Sequence, residues 1–322
     1  MKLLDLDAAT YVRHPLHGGE RTWTETNCYV DLWIEVLHAL GCDPLAGAAF
    51  TLSSDFEGDQ FSFFKYPLED LRALYGLEVG EMNVWRPLED HIAEQLELGR
   101  LLTIEVDSWF LPDTAGVSYQ IDHVKSSIVP NLIDVGLRRL GYFHNAGYFE
   151  VSGDDMEALL RRTEPRDPAS LVPYVELVRL ERLQVLDDAD LLPIVVSLTA
   201  QHLARRPTTN PVTRFRKRLD ADIAWLRDQD LALFHQWAFG TCRQCGANAE
   251  LAADFVAWLD ERDGGGLELV VADLRALSEA AKSLQFSLAR AVRGRAVDPA
   301  PTLDEMERRW ESAMAALAVR YG

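Results

Sequence analysis

The sequence predicts an α+β domain over residues 1–165 followed by a mostly helical domain over residues 166–322. Three observations support this division. Short β-rich runs are concentrated between residues 101 and 151, two prolines interrupt the chain within 163–168, and good helix formers dominate everything that follows. Strands and helices therefore occupy largely separate stretches of the chain, as in an α+β protein.

The first clear element is a helix over residues 26–40, whose apolar side chains recur at helical spacing. Thr26 or Asn27 can cap its start, and Gly41 can end it. A second helix is predicted from Pro87 to Leu98.

Strand signals follow this second helix. They combine β-branched and aromatic residues with turn residues at their ends. The predicted strands are Leu101–Asp107, Trp109–Pro112, Tyr119–Val129, Ile133–Phe143 and Tyr148–Val151. Gly153 and the two aspartates after it are typical of the start of another helix.

The second half of the chain reads as a series of helices separated by proline and glycine breaks. The predicted helices are Tyr174–Val185, Ala189–Ala204, Val212–Leu226, Ala232–Asp260, Leu267–Arg293 and Leu303–Tyr321.

Composition narrows the class of protein. With 322 residues, 48% hydrophobic and 26% charged, the chain is globular in composition, and no apolar run has the length of a membrane span. The acidic start disfavours a signal peptide, and four cysteines fit a reducing compartment, so we expect a soluble cytoplasmic protein. The net charge of −19 disfavours general nucleic-acid binding. The oligomeric state is left open.

The strongest local signal for chemistry is Cys28, in the run Trp23–Trp33. It stands at the first turn of the predicted helix, where unpaired backbone N–H groups and the positive end of the helix dipole favour a thiolate. The same N–H groups can stabilise a developing oxyanion. Alternatively, Cys28 is an unreactive, small buried residue, as many cysteines are.

A thiol nucleophile needs a base, and two histidines are candidates. His123 falls on a predicted strand, and His144 with Asn145 falls at the end of the next one. A cysteine at a helix start, then a histidine, then an asparagine or aspartate is the order found in papain-like thiol enzymes. The alternative is that both histidines are hydrogen-bonded structural residues.

Four runs in the chain resemble a bacterial family catalogued as domain-of-unknown-function family 1839, and a fifth, Arg243–Leu251, also fits it. The resemblance extends over most of the chain, and the family name implies no activity. The four runs are Glu25–Glu35, Asp55–Phe61, Val106–Thr114 and Gly141–Phe149.

Residues 20–160 are also distantly similar to the N-terminal domain of butirosin-type acyltransferases. The likeness rests on Val106–Pro112, with His123 about a dozen residues later. It implies a papain-like fold and transfer of an aminoacyl group from a carrier-protein thioester to an amine. Carried over, Cys28 is the nucleophile, His123 its base and Asn145 the residue that orients the imidazole. Those transferases use aspartate in the last role, so His144 or Asp134 are alternative third members.

Several charged or polar residues are candidates for substrate binding. An acidic loop over residues 55–59 can hold an ammonium group, and the basic stretch over residues 205–218 can hold phosphates of a donor or simply pair with acids of the N-terminal half. The candidates are Glu25, Asn27, Asp55, Glu57, Asp107, Arg214 and Arg216.

We expect neither a metal nor a cofactor. His14 and His17 form a lone pair of possible ligands, and Cys242 and Cys245 lack the two further ligands that zinc requires.

These observations lead to three hypotheses. The first is a cysteine-dependent acyl or aminoacyl transferase of natural-product biosynthesis. Its donor would be a carrier protein or an aminoacyl-tRNA, its acceptor a small amine or hydroxylamine, and the helical domain would bind the donor or cover the site. The second is a thiol peptidase or amidase. The third is a non-catalytic binding protein with a degenerate papain-like domain.

Overall fold

A computed structural model describes residues 1–161 and 172–322. The predicted boundary at 163–168 lies outside the described residues. The chain separates into two compact units built from interleaved segments. The first, here the sheet unit, comprises Met1–Gly19, Asn27–Pro44 and Leu68–Val185. The second, here the helical unit, comprises Glu20–Thr26, Leu45–Pro67 and Leu186–Gly322.

The sheet unit contains six strands and four helices among its described residues, which confirms the α+β class. The strands are β1 (Glu78–Glu81), β2 (Leu101–Asp107), β3 (Lys125–Asp134), β4 (Arg139–His144), β5 (Gly147–Ser152) and β6 (Val175–Arg179). The helices are α1 (Cys28–Ala39), α2 (Leu68–Tyr75), α3 (Leu88–Glu97) and α4 (Asp154–Leu159).

The strands form one antiparallel sheet in the order β1-β6-β2-β3-β4-β5. Strand β6, which follows α4 in the chain, is therefore inserted between two strands that precede it. The β-rich character of this half arises mainly from the β2–β5 meander, whose neighbouring strands are also neighbours in sequence.

Helix α1 starts where the sequence predicts it. The Asn27 side chain accepts hydrogen bonds from the backbone N–H of Tyr29 and Val30, at 3.2 and 2.9 Å, which satisfies two donors that the first turn leaves open. Residues 29–37 are all buried, so tertiary packing stabilises this helix in addition to its cap.

Alternation along the strands decides which side chains face α1. Tyr29 of α1 reaches Glu176 on β6, which pairs with Thr103 of β2. Phe143 lies on the same face of the sheet, since it contacts Tyr11, whose hydroxyl bonds to Glu35 of α1. We call this the α1 face.

Four local predictions were wrong. The single strand predicted over Ile133–Phe143 is divided by a turn, because β3 ends at Asp134 and β4 begins at Arg139. Residues 109–112, predicted as a strand, lie in two short 3-10 turns. Strand β3 begins at Lys125, so His123 lies in the loop before it. Val175–Arg179, inside a predicted helix, is strand β6.

The helical unit contains six α-helices among its described residues. They are α5 (Asp188–Arg205), α6 (Pro211–Leu226), α7 (Leu231–Ala238), α8 (Gln244–Arg262), α9 (Glu268–Val292) and α10 (Ala300–Tyr321). A π-turn over Phe239–Arg243 joins α7 to α8, so the single helix predicted over residues 232–260 contains an irregular turn. No helix in the described part of the chain is long and apolar enough to cross a membrane.

Within the helical unit, Trp23 packs directly on the backbone of α8. An added Cβ at Gly246 would lie 2.5 Å from the Trp23 ring, which is 4% exposed and donates a hydrogen bond to Ser278. Only glycine therefore fits at this helical position without displacing the indole.

We expect Gly246→Ala to destabilise the protein by about 1–3 kcal/mol, the usual cost of overpacking, despite the better helix propensity of alanine. Urea unfolding measures this loss. In a double-mutant cycle, Gly246→Ala should lower the free energy of unfolding by less in the Trp23→Phe background, because the smaller ring leaves space for the methyl group. Strictly additive losses would show that the indole is not what excludes the methyl group.

Candidate functional site

Cys28 is the first residue of α1 and is half-buried. Its position follows from Asn27, the N-cap directly before it, which makes Cys28 the first helical residue. The dipole at this end of the helix favours an anionic sulfur.

His123 is held by two neighbours at the loop between β2 and β3. Its Nδ1 lies 2.6 Å from Asp107 Oδ2, and its ring stacks on Trp109 with centroids 4.5 Å apart and planes 9° apart. The imidazole is two-thirds exposed, so the ring edge that carries Nε2 is accessible. A carboxylate on Nδ1 and an accessible Nε2 are the arrangement of a general base in a catalytic triad.

Asp107 lies on the α1 face of the sheet. It is the last residue of β2 and follows Thr103 by four residues, so alternation puts both side chains on the same face. The His123–Asp107 pair and the start of α1 at Cys28 are thus on one side of the sheet.

The structure replaces Asn145 with Asp107 as the partner of the His123 imidazole. Asn145 occupies the tight turn between β4 and β5 with a φ of 43°, a left-handed conformation that asparagine tolerates better than most residues. Asp134 is at the opposite end of β3, about 30 Å along the strand, where its carboxylate accepts a hydrogen bond from Leu137 N. Both residues have turn-forming roles.

His144 faces the other side of the sheet, since it follows Phe143 directly on β4. It is fully buried, with Nδ1 2.5 Å from Asp113 Oδ2 and Nε2 2.6 Å from Ser126 Oγ. Tyr142 donates to the second oxygen of Asp113 at 2.6 Å. This Ser–His–Asp array attaches the loop after β2 to the sheet, and it excludes His144 as an orienting group for His123.

The remaining candidates for substrate binding belong to the helical unit and are paired there. Arg214 forms an ion pair with Asp55, and Ser62 donates a hydrogen bond to Glu57 at 2.6 Å. Further pairs join Arg216 to Asp304 and Glu307, and Arg243 to Glu25. The basic stretch over residues 205–218 has partners from both halves of the chain, and three of its six basic residues, Arg214, Arg216 and Arg218, form ion pairs.

The other three cysteines are buried. Burial raises the pKa of Cys42 to about 11 and that of Cys242 to about 12, and burial also raises the pKa of Cys245. Such thiols stay protonated and unreactive near neutral pH. Cys42 therefore serves as an internal reference for the reactivity of Cys28.

His17, a possible metal ligand in the sequence, has carboxylates at both ring nitrogens. Nδ1 contacts Glu35 and Nε2 lies 3.3 Å from Asp31. In the described residues, no group of three or more His, Cys, Asp or Glu side chains is arranged to hold a metal ion.

Sequence reasoning missed two contributions. The sequence predicts Asp107 as a substrate-binding residue, whereas in the structure its carboxylate lies against His123 Nδ1. Glu176 was not considered at all, because its segment reads as a helix; it lies on the α1 face and accepts a hydrogen bond from Tyr29, the residue after Cys28.

Comparison with known proteins identifies both halves of the chain. Residues 12–180 match the DUF1839 N-terminal domain, and residues 188–319 match the DUF1839 C-terminal domain. A short stretch is similar to the human tubulin epsilon and delta complex protein 1, at 36% identity over 77 residues. That stretch covers 23% of this chain and 15% of the human protein.

Proposed function

The chain belongs to the DUF1839 family, and we propose that it is a cysteine-dependent acyl or aminoacyl transferase with Cys28 as the acyl-accepting nucleophile. The observation that carries the proposal is the His123–Asp107 pair, stacked on Trp109 and on the same sheet face as the start of α1. A papain-like arrangement of the sheet unit is part of the proposal.

In the first step, the Cys28 thiol transfers its proton to His123 Nε2 and the thiolate attacks the carbonyl carbon of the donor. A Cys28 thioester forms, the donor's bond to its own sulfur or oxygen breaks, and the leaving group takes the proton from His123. In the second step an amine attacks the Cys28 thioester. Its proton passes through His123 to the departing Cys28 sulfur, and an amide is formed.

Asp107 has a defined part in both steps. By accepting a hydrogen bond from Nδ1, it fixes the tautomer in which Nε2 takes up a proton, and it stabilises the imidazolium that results. Trp109 limits rotation of the His123 ring, because the imidazole must stay parallel to the indole to remain stacked on it.

Selective alkylation tests whether Cys28 is activated. We expect iodoacetamide to modify Cys28 faster than Cys42, with a half-maximal rate at a pH well below the ~8.5 of a free thiol. Peptide mass spectrometry reads both sites in one sample. Modification of Cys28 no faster than of Cys42 would contradict the proposal.

Single-turnover loading tests the transfer itself and separates the donors. A carrier protein charged through its phosphopantetheine thioester and an aminoacyl-tRNA are each mixed with the protein, and the acyl group is located by mass spectrometry. We expect it on Cys28 and absent from Cys28→Ala. Release of free acid at a rate indifferent to added amine would instead indicate a thiol hydrolase, and loading from neither donor would reject acyl transfer.

A further inference from the structure

Glu176 is a buried carboxylate beside the start of α1. It is 7% exposed, and its Oε2 accepts two short hydrogen bonds, from Tyr29 at 2.8 Å and from Thr103 at 2.7 Å. Within the described residues, the Oε1 contact is with the hydroxyl of Tyr174 at 3.3 Å, and Tyr174 is itself 41% exposed. A carboxylate offers about four acceptor positions, so Oε1 retains capacity for another donor.

In the described part of the chain, no lysine, arginine or histidine forms an ion pair with Glu176. Buried carboxylates are rare without such a partner, because removing the charge from water is costly. The strand pairing worsens this cost, since the residue opposite Glu176 on β1 is Glu81. Nearby Glu105 is paired with Lys125 at 2.8 Å. Among residues 1–161 and 172–322, the site is therefore negative and has no countercharge.

The hydroxyls around Glu176 are hydrogen-bond donors to its carboxylate. Burial and the charge of Glu176 raise the pKa of Tyr29, and the same two effects, in the same order, raise the pKa of Tyr174. Both phenols therefore remain protonated donors, and Thr103 adds a third. Hydrogen bonds of this kind stabilise a carboxylate without neutralising it.

The position of Glu176 relates it to the candidate nucleophile. Tyr29, which bonds to it, is the residue after Cys28, and Thr103 lies on the same face of β2 as Asp107. A cation bound at Oε1 would lie on the side of the sheet where Cys28 and the His123–Asp107 pair are found.

We propose that Glu176 binds the primary ammonium group of a reactant, an inference that rests on the proposed acyl transfer at Cys28. An ammonium supplies the missing countercharge and up to three N–H donors for Oε1. The same chemistry has two sources in this reaction: the α-ammonium of an aminoacyl donor and the protonated second amine of a diamine acceptor.

A binding measurement tests the site without any turnover. Glycinamide carries an ammonium group, and propionamide has nearly the same shape without the charge. We expect glycinamide to bind the wild-type protein at least about tenfold more tightly than propionamide at pH 7, by calorimetry, and Glu176→Gln to abolish that preference. Equal binding of the two amides by the wild type would overturn the proposal, whether or not Cys28 is a nucleophile.

Loading experiments then distinguish the two sources. Glycyl and propionyl thioesters of N-acetylcysteamine are compared as donors to Cys28. If Glu176 holds the donor, the glycyl group loads at least about tenfold faster, and Glu176→Gln removes the difference. If it holds the acceptor, both groups load equally, and Glu176→Gln instead raises the ethylenediamine concentration needed to discharge propionyl-Cys28. The proposal would be contradicted if Glu176→Gln changed neither the glycyl-to-propionyl loading ratio nor the ethylenediamine concentration needed for discharge.

The control is Glu97→Gln, which makes the same change of charge at an exposed position at the end of α3. It should leave intact the preference for glycinamide over propionamide and the effect of the ammonium group on loading or discharge.

The glutamine of Glu176→Gln can still accept hydrogen bonds from Tyr29 and Thr103, and circular dichroism verifies that this variant is folded. If it is not folded, the comparison of glycinamide with propionamide in the wild type still decides the question. Absence of loading with retained glycinamide selectivity would reject the proposed transfer and keep the ammonium site.

Discussion

His123→Asn should slow the loading of Cys28 by about 10²–10⁴-fold, the range expected for loss of a general base. The amide side chain keeps a polar group of similar size in the loop but cannot take up the thiol proton. The rate is measured by rapid quench with a thioester donor at saturating and at limiting concentration, so that kcat and kcat/KM are obtained separately. A loss in kcat with little change in KM is expected, because the proton transfer occurs in the transition state.

Asp107→Asn should slow the loading of Cys28 by a similar factor, because an amide on Nδ1 can hold the imidazole in the wrong tautomer. Two control variants accompany this measurement. Asn145→Gly retains the left-handed turn and should load at the wild-type rate, since Asp107 and not Asn145 is bonded to His123. His235→Asn changes an exposed histidine on α7 and should also be neutral. If His123→Asn loaded within about threefold of wild type, the His123–Asp107 pair would not be the base of this reaction.

The parts of the fold that sequence predicts well are those decided locally. Helix α1 combines an asparagine cap, apolar residues at helical spacing and a glycine two residues after its end. Cys28 could be placed at its first turn for the same reason. Strands β2 and β5 were also recognised, because their β-branched and aromatic residues occur in compact runs.

Strand β6 could not be identified in this way. Its five residues, Val175–Arg179, contain good helix formers, and the segment is extended because β1 and β2 pair with it on either side. Those partners lie about 70–100 residues earlier in the chain. Pairing with strands so distant in sequence overrides the local propensity of the segment. Because the segment reads as a helix, Glu176 is not recognised as a residue on the α1 face.

The candidate site shows the same division. The order of residues left His123 and His144 as candidate bases, and the resemblance to the acyltransferases favoured His123; neither predicted Asp107 as its hydrogen-bond partner. The loop places the imidazole against Asp107 through long-range contacts such as the hydrogen bond from Ser108 N to Val124 O. Asn145, the expected partner, has a side chain that suits a tight turn equally well, and composition alone does not separate the two roles.

The second large effect concerns stability and is expected at His17. This imidazole is buried between Asp31 and Glu35, one turn apart on α1, with both ring nitrogens engaged. Tyr11 also donates to Glu35, at 2.6 Å, and His14 N donates to it at 3.1 Å. Removing the imidazole takes away the cation that contacts both buried carboxylates, a change that typically costs about 3–5 kcal/mol.

The pH dependence of this contribution follows from the two shifted groups. Burial alone would lower the pKa of His17, but hydrogen bonds to Asp31 and Glu35 outweigh burial and raise it. Burial would raise the pKa of Glu35, but hydrogen bonds from His17 and Tyr11 lower it. The stability that the raised pKa of His17 contributes is fully present below its unfolded pKa near 6.5 and is lost as the pH rises through the folded pKa. The stability that the lowered pKa of Glu35 contributes is fully present above its unfolded pKa of about 4.3 and is lost as the pH falls through the folded pKa.

We therefore expect His17→Ala to lower the free energy of unfolding most between about pH 4.5 and 6.5, and by less as the pH increases towards 9. Urea unfolding of wild type and variant at a series of pH values measures the difference directly. His235→Ala, at an exposed position, should stay within about 0.5 kcal/mol of wild type at every pH. A His17→Ala loss below about 1 kcal/mol, or one that grows with pH, would mean that His17 is neutral in the folded protein and that another group compensates Asp31 and Glu35.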